Sequence, residues 1–342
     1  VNRLSEWADP SVKILKYLKS VKDQYVSGEE LSDMFGMSRT AIWKRMESIK
    51  EEGFNIEAVT KKGYRLILDE TACNRNAPYG RLAVQSELTG SVFGHNLKFF
   101  HETDSTNQVL KKMAAQNAPE GTVVISDMQC AGRGRRGKAW SSKPNLGIWM
   151  SILLRPNLHP NSVQTLTLAA SVAVMRALEP LNIDGTGIKW PNDILINGKK
   201  VCGILTELSA EAEKVDWVII GIGLNVNHRE SDFPDDISSV ATSLRMNVNK
   251  SSLLDRSVIA ADIIDEMEKV YGSFIEKGSA WVVQEWKKYN VTLGKRIKII
   301  NQQGVTNAEV IDITEEGRLI VKDEKGKVLE LYSGEISIRE TQ

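Results

Sequence analysis

Two serine-capped helices separated by a very short turn constrain this chain more than any other feature. Ser27-Gly28-Glu29-Glu30 is a capping-box pattern, and the helix through Leu31 and Met34 stops near Gly36. Ser38 opens the next helix, SRTAIWKRMESIKEEG. Its Ala41, Ile42, Met46 and Ile49 form one apolar stripe, and Gly53 suits the position just past its end. Only Phe35–Met37 lie between the two, which predicts a helix-turn-helix. An earlier helix opens at Pro10 with Ile14, Leu15, Leu18 and Val21 on one side. FNIEAV and YRLIL follow as strands joined at Thr60-Lys61-Lys62-Gly63, the outline of a wing. Residues 36–65 hold seven Lys/Arg against four Asp/Glu, a modest basic excess. Ser38, Arg39, Thr40, Trp43 and Lys44 lie near the start of the helix that enters a major groove in such motifs. Lys61, Lys62 and Arg65 on the wing are candidates for phosphate contacts. The expectation is a winged helix-turn-helix over 1–68 that binds DNA. The competing reading is a helical interaction domain with a solvated charged face.

A length of 342 residues leaves room for two or three domains. Hydrophobic residues at 42% and charged residues at 26% fit a folded globular chain rather than a disordered or coiled-coil one. Lys+Arg and Asp+Glu are both 44, so indiscriminate coating of nucleic acid is not expected, although a local basic face is compatible. No apolar run approaches the roughly 20 residues of a membrane span. The lysines interrupting VNRLSEWADPSVKILKYLKS argue against a signal peptide. Cys73, Cys130 and Cys202 are far apart and odd in number, and the four His residues are scattered. A cytoplasmic protein without a disulfide framework or a zinc site is expected.

DETACNRNAPYG, residues 69–80, reads as a linker. Strands and helices then alternate over 81–290. KFFHETDSTNQVLKKMAAQN is a strand and a helix capped by Asp104 or Ser105, and GTVVISD is a strand. Residues 162–178 are small and apolar nearly all round, as in a buried helix. Asn197-Gly198 signals a hairpin, and VDWVIIGIGLNVN a buried strand. Residues 250–290 look helical.

Between two of these strands runs MQCAGRGRRGKAWSSKPN. Arg133, Arg135, Arg136 and Lys138 fall within six residues, and no acidic residue occurs from Met128 to Leu178. Crowded cations with interleaved glycines suit a phosphate or carboxylate, to which arginine forks bind bidentately. A solvated basic loop is the alternative. The loop matches neither a Walker A motif nor GxGxxG. KWPND, Lys189–Asp193, presents Lys, Asn and Asp at a strand end, where turn chemistry alone would also place them. KKVCGILTE sets Lys200 ahead of a buried strand, and a lone strand-end lysine is usually solvated. After about residue 291, KRIKII, NAEVIDI, RLIVKD and KVLELY are short strands punctuated by Gly294, Gly304, Gly317, Gly326 and Gly334, which predicts a small barrel over 291–342.

DSTN (104–107), GRGRRGKAW (132–140), KWPND (189–193), KKVCGILTE (199–207) and GIGLNVN (221–227) occur in that order. Together with the winged helix they resemble the bifunctional biotin–protein ligases that also repress biotin operons. The resemblance covers nearly the whole chain. It implies an α+β multidomain fold: the winged helix-turn-helix, a central class II synthetase-like mixed sheet with helices, and a C-terminal SH3-like β-barrel. The implied reaction joins biotin carboxylate to the α-phosphate of ATP, with Mg²⁺ bridging phosphates. A carrier lysine amine then attacks the biotinoyl-5′-AMP. The resemblance places Arg133 and Arg135 beside the reacting anions, with Lys200 polarising the same centre and Lys189 ordering phosphate. It gives Ser105, Thr106, Asn107, Gln129 and Gly134 to biotin, and Trp140, Asn192 and Asp193 to the nucleotide. It implies a biotin carboxyl carrier protein, operator DNA and, once the adenylate is bound, a homodimer as partners. A lipoate–protein ligase of the same fold, a purely metabolite-sensing transcription factor and a ligase without operator binding stay open as alternatives.

Overall fold

The computed structural model describes residues 9–67, 78–211, 214–248, 253–301, 304–332 and 337–340. Near the N-terminus, α1 (Pro10–Ser20), α2 (Gly28–Phe35) and α3 (Arg39–Glu51) precede a hairpin of β1 (Ile56–Val59) and β2 (Gly63–Leu66). Both caps form. Ser27 Oγ accepts from Glu30 N at 3.0 Å and Ser38 Oγ from Ala41 N at 3.2 Å, each worth about 1 kcal/mol. Gly36 closes α2 at φ +62°, the left-handed conformation that glycine adopts without strain. Ile14, Leu15, Leu18, Leu31, Ile42, Met46 and Ile49 are wholly buried or nearly so, and they form one small core with Ile56 and Leu66 of the hairpin.

The linker expected over 69–80 falls, as far as residue 77, outside the described residues. At its end a helix that the sequence reading did not foresee, α4 (Arg81–Glu87), joins two cores. Leu82 packs into the winged-helix core, while Val84 and Leu88 pack into the central one. Polar contacts fix the junction. Glu52, just past α3, accepts from Leu82 N at 2.9 Å, and Lys16 donates to Leu88 O at 2.6 Å. Arg81 pairs with Asp9 at 3.0 Å. Burial alone would raise the Asp9 pKa, but the Ser11 N–H and Arg81 outweigh it and hold the carboxyl below its usual value.

The central domain is built on a seven-stranded sheet. Its elements are β3 (Leu97–Thr103), α5 (Thr106–Ala115), β4 (Val123–Gln129), β5 (Gly147–Leu154), α6 (Val163–Leu178), β6 (Thr186–Lys189), β7 (Asp193–Ile196), β8 (Lys199–Glu211), β9 (Lys214–Asn225), α7 (Asp235–Ser238), α8 (Arg256–Lys277) and α9 (Ser279–Tyr289). Strand order is β3-β4-β5-β9-β8-β7-β6, with β3 and β4 parallel and the other pairs antiparallel. Asn197 and Gly198 take φ +50° and +78° in the two-residue turn between β7 and β8, as the Asn-Gly pair predicts.

The two faces of this sheet differ in what covers them. Residues directly opposite in an antiparallel pair share a face. One face carries Ile148, Met150, Ile152, Ile220, Ile222, Leu224 and Ile204, which bury against α6 and α8 in the main core. The other carries Trp149, Ser151 and Leu153 of β5 opposite Gly223, Gly221 and Ile219 of β9, with Gly203, Leu205 and Glu207 of β8 beyond. There α5 covers only one end, packing Leu110 and Ala114 on Val124, Leu153 and Ile219. The glycine end is left open as a cleft.

Five antiparallel strands, β10 (Arg296–Asn301), β11 (Gly304–Ile313), β12 (Leu319–Asp323), β13 (Val328–Leu331) and β14 (Ser337–Glu340), pair in the order β13-β12-β11-β10-β14. The turn between β11 and β12 docks on the central domain. Trp190 Nε1 donates to Gly317 O at 3.0 Å, and Thr165 Oγ1 donates to Glu316 O at 3.2 Å.

Candidate functional site

A cavity of about 690 Å³ opens over the glycine end of the sheet. Every residue that the resemblance assigns to the substrates lines it: Ser105, Thr106, Asn107 and Gln129 at one end, Arg133, Gly134, Arg135 and Trp140 from the basic loop, and Lys189, Asn192, Asp193 and Lys200 at the other end. Segments as distant as 105 and 200 meet there because the β3-β4-β5-β9-β8 order carries the end of β3 and the start of β8 to one edge.

The basic loop folds as a small hairpin across the opening. Arg133 pairs with Ala139, Gly134 N donates to Lys138 O at 2.7 Å, and Trp140 N donates to Gly132 O at 2.9 Å. Arg136 takes φ +57° within it. Trp140 lies flat against the sheet glycines. A Cβ on Gly223 would come within 2.6 Å of its ring, and one on Gly203 within 2.9 Å. The indole N–H is buried and has no hydrogen-bond partner. Arg133 stays exposed, whereas Arg135 is half-buried and donates to Asn192 Oδ1 at 3.0 Å. Burial lowers the Arg135 pKa, with Asp193 opposing that shift and Arg136 reinforcing it. The Asn192 amide also donates to Ile204 O at 2.8 Å, so Asn192 ties Arg135 to β8.

Lys200 reaches the cavity through a β-bulge. The register between β7 and β8 shifts at Ile194/Leu195, so Val201 and Cys202 both bury in the core and Lys200 is turned towards the cleft. Its ammonium lies 2.7 Å from Asp193 Oδ1 and 5.1 Å from the centre of the Trp140 ring. Asp193 Oδ1 is buried and meets Lys200 without an aligned hydrogen bond. Burial beside this cluster pushes the Cys202 thiol pKa well up, which leaves it a neutral core group.

The far end of the cleft is neutral. Gln129 Oε1 accepts from Thr106 N at 2.9 Å, and Gln129 Nε2 donates to Ser142 Oγ at 2.9 Å. Ser105 precedes α5 without a side-chain capping bond, which leaves its hydroxyl uncommitted as a cap. The Asn107 amide meets Glu207 at 2.6 Å and Ser151 at 2.5 Å. Ser142, Ser151, Glu207 and His228 were not singled out in the sequence. His228 stacks on Phe233 at 5.0 Å, and its Nδ1 has no partner. Ile300 of the C-terminal domain reaches the cavity rim. Among the described residues no group of three or more His, Cys, Asp or Glu could hold a metal.

On the winged helix, Ser38 serves as the α3 cap, and Arg39, Thr40, Trp43 and Lys44 are exposed beyond it. Arg39 pairs with Glu29 at 3.1 Å. Lys61 and Lys62 are exposed at the hairpin turn. Arg65 is engaged by Glu57 at 2.6 Å and lies over the Tyr25 ring.

A helix-turn-helix head on a sheet whose cleft is cationic at one end and neutral at the other defines a DNA-binding protein fused to an anion-handling enzyme. Comparison with known proteins narrows the class. Residues 99–225 match the biotin/lipoate A/B protein ligase family, 12–65 an HTH domain and 292–339 the biotin protein ligase C-terminal domain. The chain is 37% identical over 325 residues to the bifunctional ligase/repressor BirA of Bacillus subtilis, with 95% of this chain and 97% of that one covered. It is 28% identical to that of Escherichia coli, covering 93% and 94%. The biotin protein ligase of Aquifex aeolicus, solved in complex with biotin and ATP, superposes with a TM-score of 0.61 at 31% identity, covering 72% of this chain and 99% of that one. The chain belongs to the biotin protein ligase family. It is a biotin–[acetyl-CoA-carboxylase] ligase that carries the repressor's helix-turn-helix. The expected fold class is borne out, and no described helix is long and apolar enough to cross a membrane.

Proposed function

We propose that the cleft holds biotin with its ureido ring at the neutral end and its carboxylate at the cationic end, beside the α-phosphate of ATP. One observation carries this reading. Arg135, Lys189 and Lys200 line one end of a single cavity and Thr106 and Gln129 the other. A carboxylate and a triphosphate repel, so fixed cations lower the barrier to their meeting. Arg135, held by Asn192, and Lys200, turned inward by the bulge, stabilise the charge that develops as carboxylate oxygen bonds to phosphorus and pyrophosphate leaves. Lys189 orders the phosphates, and Arg133 closes over the anions from the loop. Ser105, Thr106 and Gln129 meet the uncharged ring, with Asn107 behind them and Gly134 allowing close approach of the loop backbone. Trp140 covers the nucleotide. Mg²⁺ arriving with ATP would be held by its phosphates and by Asp193, a carboxylate oxygen donor now paired with Lys200 at 2.7 Å, and would neutralise phosphate charge. The loop hairpin excludes water from the mixed anhydride until a carrier lysine attacks its carbonyl and releases AMP.

The same adenylate serves as corepressor. While it persists, two chains pair and set two α3 helices on the half-sites of a palindromic operator. The protein works in the cytoplasm. The test is to incubate the full chain with biotin, Mg-ATP and a biotin carboxyl carrier domain. Mass spectrometry should find biotin on one carrier lysine, and only when ATP is present. An unmodified carrier would reject the reading.

A further inference from the structure

We infer that Glu207 sets the hydrogen-bond polarity of the neutral end of the cleft, acting through Asn107, Ser151 and Thr106. The inference rests on the ureido ring lying there.

Glu207 sits on β8, a hundred residues from Asn107 in sequence, on the cleft face of the sheet and beyond the glycine end, where α5 covers it. An ionised carboxylate only accepts. One oxygen takes Asn107 Nδ2 at 2.6 Å, and the other takes Lys111 Nζ at 2.6 Å. The carboxylate therefore decides which way the Asn107 amide points: nitrogen towards Glu207, oxygen away. Gly221 keeps the amide in place, since the position of a Cβ there is 2.3 Å from Asn107 Oδ1.

The rest follows from counting hydrogens. Asn107 Oδ1 only accepts and lies 2.5 Å from Ser151 Oγ, so Ser151 donates to it. A hydroxyl has one hydrogen. The 2.7 Å contact between Ser151 Oγ and Thr106 Oγ1 is then made by the Thr106 hydrogen. Gln129 Oε1 also lies 3.2 Å from the Thr106 hydroxyl, but it already receives the Thr106 backbone N–H at 2.9 Å, and the one hydroxyl hydrogen goes to the closer Ser151 oxygen. Thr106 Oγ1 thus faces the cleft with a lone pair and accepts from a ligand N–H. Glu207 is a positioning residue. It makes this end of the site select a ring N–H and reject a ring oxygen, because two acceptors face to face leave both unsatisfied.

The experiment uses the full chain and calorimetric titration with biotin and with two cyclic carbamate analogues, each replacing one ureido N–H by a ring oxygen. Wild type should bind one analogue weaker than biotin by a factor on the order of 10². In Glu207→Gln the side-chain amide can donate to Asn107 and let it reverse, so that ratio should fall by about tenfold or more, with the melting temperature within a few degrees of wild type. Ser151→Ala breaks the chain at a second point and should give the same fall. Lys111→Met keeps the carboxylate and should keep the ratio. A wild-type ratio in both Glu207→Gln and Ser151→Ala overturns the inference. Thr106→Val separates the two levels. Weakened biotin binding there, with the ratio kept in the other two variants, overturns the relay alone. Unchanged biotin binding overturns the placement of the ring and the relay with it.

Discussion

Gly223 and Trp140 are in contact that only a glycine permits: a Cβ at position 223 would sit 2.6 Å from the indole ring. The basic loop's position therefore depends on a bare stretch of β9 more than eighty residues away in sequence. Gly223→Ala should dislodge Trp140 from the sheet, at a cost of about 1–3 kcal/mol for overpacking a filled site. The expected signature is faster proteolysis at 132–138 and an increased KM for ATP. Wild-type cleavage and KM would show that the ring has another seat.

The winged helix gives a graded prediction. Lys61 and Lys62 are exposed at the hairpin turn, Lys62 with its ammonium 5.4 Å from the centre of the Tyr25 ring, while Arg65 over the same ring is also held by an ion pair to Glu57. Lys61→Ala and Lys62→Ala should each reduce the slope of log affinity against log salt for operator DNA by about 1. Arg65→Ala should change it less. Titrations of a palindromic fragment at several salt concentrations provide the check, and a larger slope change for Arg65→Ala would contradict the assignment.

Much of this was legible from local signals. Ser27, Ser38, Gly36 and the Asn197-Gly198 turn act through their own backbone neighbours, so sequence alone is enough to place them. The basic loop, KWPND and Lys200 carry charges that need an anion, and the family motifs supply their order. What escaped is non-local. Glu207 lies within KKVCGILTE, yet its partner Asn107 is brought to it only by the β5-β9-β8 pairing. The bulge that turns Lys200 inward depends on how β7 and β8 register. The Leu82 side of α4 has meaning only once the winged helix is there to pack on it, and Ile300 reaches the rim only because the turn at Gly317 docks on Trp190.

His228 gives the protein a pH-dependent stability. Burial lowers its pKa to about 4, with Asp232 opposing and Lys143 and Arg256 adding to the shift. In the unfolded chain the imidazole titrates near its ordinary value of 6.5. Between those values the unfolded state binds more protons, so stability is lost as pH falls from the unfolded value towards the folded one. The expected loss from pH 7 to pH 5 is about 2 kcal/mol. Urea unfolding at the two pH values should show it, and His228→Gln should remove most of the difference. An equal pH dependence in the variant would assign it to other groups.

The C-terminal domain should matter to the site through one turn. Gly317 has φ +83°, and a Cβ there would meet Leu168 at 2.8 Å. Gly317→Ala should loosen the bond from Trp190 to the Gly317 carbonyl and the KWPND strand end with it. Expected outcomes are a lowered melting temperature and a several-fold fall in adenylation rate, measured by pyrophosphate release. A lowered melting temperature with a wild-type rate would mean that the turn supports the fold but not the site.

The central claim is that Arg135 and Lys200 are aimed at the reacting carboxylate and α-phosphate. The most direct test is the single-turnover rate of adenylate formation in Arg135→Ala and Lys200→Ala, at saturating biotin and Mg-ATP. The account predicts a loss of roughly 10²-fold or more in each, with ATP affinity changed far less. Wild-type rates in both variants would contradict it.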